Sequence, residues 1–139
     1  MTATRVDHGA VKDFVRHTLG CACPDEVFER IEVRVPAADC LGEIAIGGRL
    51  LVRCHSAESF EDLSVPLRQW LAAGIAARDP LGCHRLRLLL AARNPEETEQ
   101  RALQIWESIE RPDDRIHIHV LAPTEVETLL RAVGRSAPP

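Results

Sequence analysis

Two thiols stand one residue apart in the segment Cys21-Ala22-Cys23-Pro24-Asp25-Glu26, directly before a helix start. Thiols at this spacing can exchange electrons through a strained, labile disulfide. They can also give two thiolates to zinc, copper or an iron–sulfur cluster, or serve as small buried apolar groups. If Cys23 occupies the N-cap, nearby backbone N–H groups stabilise its thiolate, an effect that Asp25 and Glu26 oppose. Cys21 and Cys23 are therefore the candidate catalytic residues and the candidate metal ligands. Cys40, Cys54, Cys83, His8, His17, His55, His84, His117 and His119 are the other residues able to ligate a metal.

A second constellation is cationic. Apart from Lys12, every basic residue is arginine, whose planar fork suits carboxylate and phosphate. His117 and His119 share one face of a strand, as metal-binding pairs do, and also fit a solvated face. With Arg53 and Arg87 on neighbouring strands they form a candidate site for an anion or a protein partner, expected near the carboxyl ends of the strands. This grouping rests on strand parity, which a one-residue register shift would reverse.

These residues must be positioned by the elements around them. At 139 residues, with 45% hydrophobic and 27% charged residues, the chain is expected to form a single domain over residues 1–139. It splits into an N-terminal helical segment, residues 1–31, and an alternating strand/helix core, residues 49–133. Val11, Phe14, Val15, Thr18 and Leu19 follow helical spacing up to Gly20, and a second short helix should open at Pro24. Ile31, Val33 and Val35 then alternate as a strand ended by Pro36, suited to an antiparallel edge. Ile44 and Ile46 suggest a short strand before the Gly47-Gly48 turn.

From Arg49 the period alternates between two and 3.6. Strands are expected over Arg49–His55, His84–Ala92 and Arg115–Leu121. One helix carries Leu63, Leu67, Trp70, Leu71 and Ile75, and a second opens at Asn94-Pro95-Glu96-Glu97 and buries Ala102, Ile105, Trp106 and Ile109. Thr124 with Glu127 resembles the capping box of a last helix, and Ala137-Pro138-Pro139 forms a tail. The expected fold is α/β: a two-layer sandwich with a mainly parallel sheet of about four strands, helices packed on one face, and two N-terminal helices. Leu50, Val52, Cys54, Leu86, Leu88, Leu90, Ile116, Ile118 and Val120 are expected to form the helix-covered face. Arg49, Arg53, His55, Arg85, Arg87, Arg115, His117 and His119 then fall on an open cationic face.

The run from Phe14 to Phe28, with its Leu-Gly-Cys-x-Cys-Pro motif, resembles the signature of a small uncharacterised prokaryotic family. That family also shares a Gly-x-Arg-Leu-Leu strand, here Gly48 to Leu51. The resemblance runs through most of the chain. It implies that the thiol pair is a shared feature, and it carries no activity, cofactor or site residue with it.

Several classes are disfavoured. No stretch approaches the roughly 20 apolar residues that span a bilayer, and the N-terminus lacks the pattern of an export signal. The net charge of −4 argues against a nucleic-acid or anionic-membrane binder. No phosphate-cradling loop, dinucleotide fingerprint, nucleophile elbow or Cys-x-x-Cys is present. The expected protein is cytoplasmic and uses Cys21 and Cys23 for thiol redox exchange or transition-metal binding, with zinc, copper or an iron–sulfur cluster as the metal. The alternative is a non-enzymatic interaction or oligomerisation domain that docks a protein partner or a second copy on the cationic sheet face.

Overall fold

A computed structural model describes residues 6–34, 40–58 and 60–134. Helix α1 (His8–Asp13) is capped by Asp7, whose carboxylate accepts the Ala10 N–H at 3.1 Å. It continues into a π-helical turn, Phe14–Thr18, and a 3₁₀ turn follows at Asp25–Glu29. The rest of the chain is β1 (Ile31–Arg34), β2 (Gly42–Ile46), β3 (Leu50–Ser56), α2 (Ser64–Arg78), β4 (Arg85–Ala91), α3 (Pro95–Ser108), β5 (Ile116–Leu121) and α4 (Pro123–Ala132). The expected strand end at Val35 and Pro36, and the tail Ala137-Pro138-Pro139, lie outside the described residues.

The fold is α/β, as expected, with a five-stranded sheet in the order β1-β2-β3-β4-β5. The β1–β2 and β2–β3 pairs are antiparallel, and the β3–β4 and β4–β5 pairs are parallel. The sheet is therefore mixed, not a mainly parallel one of four strands. The antiparallel β2–β3 pair is closed by the Gly47-Gly48 turn. Both glycines have positive φ, and the Arg49 N–H donates to the Ile46 carbonyl at 3.0 Å, the signature of a type I′ turn. A Cβ on Gly47 would sit 2.6 Å from the Val27 carbonyl oxygen, so only glycine fits this approach.

Helices cover both faces of the sheet, which corrects the expected two-layer arrangement. On one face, Leu67, Trp70 and Leu71 of α2 and Ala102 and Trp106 of α3 pack on Leu51, Leu86, Leu88, Leu90 and Ile116. On the other, Val11, Phe14, Val15 and Phe28, with Val126, Leu129 and Leu130 of α4, pack on Ile44, Ile46, Leu50, Val52 and Leu89. Leu88 and Leu89 point to opposite faces and both are fully buried; each such leucine contributes about 2 kcal/mol of burial. As expected, both crossover helices lie on one face. The second layer comes from the N-terminal segment and α4, tied together where the Asp7 N–H donates to the Ala132 carbonyl at 2.7 Å.

The register decides which residues share a face. Leu51 aligns with Leu86 and Arg53 with Leu88, while Val52 aligns with Arg87 and Cys54 with Leu89. The expected face assignment of β3 is thus reversed: Leu50, Val52 and Cys54 lie on the face of Arg87, and Arg53 and His55 lie on the face of α2 and α3. Helix α4 also starts earlier than its expected Thr124 cap. It opens at Pro123, and the Glu125 carboxylate accepts the Ala122 N–H at 3.2 Å.

Candidate functional site

Gly20, at φ +67°, reverses the chain after the π-helical turn. The Cys21 N–H then donates to the Val15 carbonyl at 3.1 Å. Cys21 and Cys23, with Cα atoms 5.7 Å apart, lie at disulfide distance. Both are buried, 5% and 2% exposed, in the cluster that contains Val15, Leu19 and Phe28.

A polar latch closes over this apolar seat. The Arg16 guanidinium donates to the Cys23 carbonyl at 2.8 Å and pairs with the Asp25 carboxylate. Lys12 Nζ lies 3.5 Å from the same carboxylate. The Arg16 hydrogen bond, followed by the charge of Lys12, holds the Asp25 carboxyl below its ordinary value.

Cys23 does not cap a helix. The 3₁₀ turn begins at Asp25, and Pro24 holds the cap position with no side-chain hydrogen bond. The expected thiolate stabilisation by a helix end is therefore absent, because one short 3₁₀ turn aligns too few peptide dipoles.

A metal would need further ligands. Among the described residues, no group of three or more His, Cys, Asp or Glu side chains is placed to hold a metal ion. Cys40, Cys54 and Cys83 are all buried outside any disulfide. Cys40 donates to the Gly42 carbonyl at 3.2 Å, and burial pushes both the Cys40 and Cys83 thiols up from their ordinary pKa. The thiol pair by itself therefore does not complete a zinc, copper or iron–sulfur ligand set within the described residues.

The cationic constellation is brought together only in part. Arg53, 4% exposed, lies on the α2/α3 face with Nε 3.5 Å from Glu43, and Arg34 approaches the other oxygen of the same carboxylate at 3.4 Å. His55, on the same face, stacks on Trp70 with ring centroids 4.6 Å apart. Arg53 is thus a buried structural ion-pair partner, separated by the sheet from Arg87.

Arg87, His117 and His119 do share a face. Arg87 aligns with His117, and its Nη1 lies 3.0 Å from His119 Nε2. Burial, then the charges of Arg87 and His117, push His119 down to about 4. His117 is lowered by burial and by Arg87 and Arg85, with Asp114 opposing.

Sequence reasoning placed Arg49, Arg85 and Arg115 on the open face without assembling them into a site. With His84, they line a cavity of about 510 Å³ against Val27 and the Gly47-Gly48 hairpin. An arginine stands at the entry to each parallel strand, a repeat visible in Arg49-Leu50, Arg85-Leu86 and Arg115-Ile116. The cavity lies at the amino ends of these strands. The carboxyl ends, where an anion site was expected, instead carry a cavity of about 290 Å³ whose wall includes Glu58 and Glu127 beside Arg93. There the Glu58 carboxylate accepts the Arg93 backbone N–H.

Among the described residues, no helix is long and apolar enough to cross a membrane. Comparison of the chain with protein-family models, curated proteins and solved structures finds no match.

Proposed function

We propose that the chain is a thiol–disulfide protein in which Cys21 and Cys23 form a reversible redox pair. The observation that carries this reading is their placement at disulfide distance, while the other three cysteines are buried outside any disulfide. In the balanced step, a partner dithiol attacks one sulfur of the pair through a mixed disulfide. Two electrons and two protons pass to Cys21 and Cys23, and the partner leaves as its own disulfide. Both sulfurs sit in a buried apolar seat, so exchange with a partner is expected to be slow.

Metal binding is the second reading, and with two sulfurs per chain it calls for a second copy or a partner to supply the remaining ligands. The two readings separate by mass spectrometry on protein purified without oxygen or chelators. The redox reading expects an apo mass that falls by two units in air and recovers with a dithiol reductant, both changes abolished by Cys21→Ser. A pair that stays reduced across glutathione buffers of increasing oxidation would sink it. A stoichiometric metal adduct lost in the same variant would replace it with the metal reading.

A further inference from the structure

Three described arginines are buried beyond nine-tenths: Arg53, Arg78 and Arg87, exposed 4%, 6% and 8%. Two of them have carboxylates. Arg53 lies against Glu43, and Arg78 reaches Asp79 at 3.1 Å and Asp113 at 3.0 Å. Arg87 differs in its charge partner: among the described residues no carboxylate lies within ion-pair distance of it, and its neighbour is the imidazole of His119. Its buried Nε, like Nε and Nη1 of Arg53, makes no hydrogen bond. Its surroundings add positive charge. Arg85 precedes it by two residues on the same strand face, about 7 Å away, His117 is its register partner on β5, and Arg115 immediately precedes that strand.

A buried guanidinium without a counter-charge costs several kcal/mol, and clustered cations add repulsion. The same arrangement becomes favourable when an anion enters. Arg85 and Arg115, at the outer end of this cluster, line the cavity of about 510 Å³ together with Arg49 and His84, within the size range of small-ligand sites, and Arg87 lies behind them along β4.

We infer that the cavity lined by Arg49, Arg85 and Arg115, with the charge of Arg87 behind it, is a binding site for the phosphoryl group of a small phosphate monoester. A dianionic phosphoryl group offers three terminal oxygens and twice the charge of one carboxylate, which suits a cavity lined by three arginines. The cavity exceeds the volume of phosphate alone, and Val27 with the glycine hairpin supplies an uncharged wall for the organic part. The net charge of −4 favours a small ligand over a nucleic acid. The inference is independent of the thiol pair.

The test is thermal denaturation and calorimetric titration of the full chain with inorganic phosphate and with glycerol 3-phosphate, against sodium chloride at matched ionic strength. Either phosphate should raise Tm by about 9 °C at a hundredfold excess over Kd, and chloride should not. Tighter binding of glycerol 3-phosphate supports the monoester. Equal affinity overturns the organic part of the proposal and leaves inorganic phosphate as the ligand. The double variant Arg85→Gln/Arg115→Gln, at partly exposed positions, should keep the ligand-free Tm and weaken binding at least tenfold. Arg87→Met, which removes the charge behind the cavity, should weaken binding less than the double variant does. No rise with either phosphate, a rise matched by chloride, or a rise retained in the double variant overturns the site.

Discussion

Arg87 and His119 form a diagonal pair across β4 and β5, with Nη1 3.0 Å from Nε2. A guanidinium only donates, so Nε2 must accept and His119 is held neutral with its proton on Nδ1. Protonating this imidazole would set two cations in contact in a half-buried place. The alternation that brings both residues to one sheet face thereby makes a histidine that resists acid.

This relationship predicts the direction of the pH dependence. His119 titrates near 4 in the folded chain against an ordinary value of 6.5, so between those values the unfolded chain binds more protons. Stability therefore rises with pH through this window and falls as pH drops from about 6.5 toward 4, by at most about 3 kcal/mol. The lowered His117 acts in the same direction. Urea denaturation at pH 7, 5.5 and 4.5 checks this, and His119→Gln should flatten most of the slope.

Reducing the Cys21–Cys23 pair should destabilise the fold only modestly. The bond closes a loop of three residues, and the chain-entropy model assigns such a loop about 1.5 kcal/mol. Chemical denaturation with and without a dithiol reductant measures the difference. Cys21→Ser/Cys23→Ser should lose reductant sensitivity altogether. Sensitivity that persists in the double variant would place the redox event elsewhere.

Arg16 should govern the rate at which the pair is reduced. Its guanidinium holds the Cys23 carbonyl at 2.8 Å and pairs with Asp25, pinning the irregular segment onto the π-helical turn. Arg16→Gln removes the ion pair and most of the latch, and should speed reduction by a dithiol several-fold while the midpoint potential changes little. An unchanged rate would show that the segment opens by another route.

Glu43 should be among the most sensitive polar positions. It lies between Arg34 and Arg53, and Arg53 is almost fully buried. Glu43→Gln leaves the Arg53 charge without compensation and should cost about 3–5 kcal/mol, whereas the paired replacement Glu43→Leu/Arg53→Met should be close to neutral. Equilibrium denaturation of the single and double variants gives the coupling directly.

The local elements were legible because each depends on neighbours in sequence. Alternation marks Ile31–Arg34 and Ile116–Leu121, Gly47-Gly48 marks the hairpin, and the spacing of Leu67, Trp70 and Leu71 marks α2. The site was less legible. The spacing of Cys21 and Cys23 is visible in the chain, but their burial beneath the Arg16 latch depends on Asp25, nine residues beyond Arg16.

The set of elements, the shared sheet face of α2 and α3, and the proximity of the two thiols follow from the order and spacing of residues along the chain. The offset of β3 against β4 emerges only when the strands pair in space. Both strands are buried on both faces, so their polarity does not report which way each side chain points, and their alignment is set across the intervening helix α2. Because strand side chains alternate with a period of two, that offset places Arg53 with Glu43 under α2 and leaves Arg87 on the opposite face with His119.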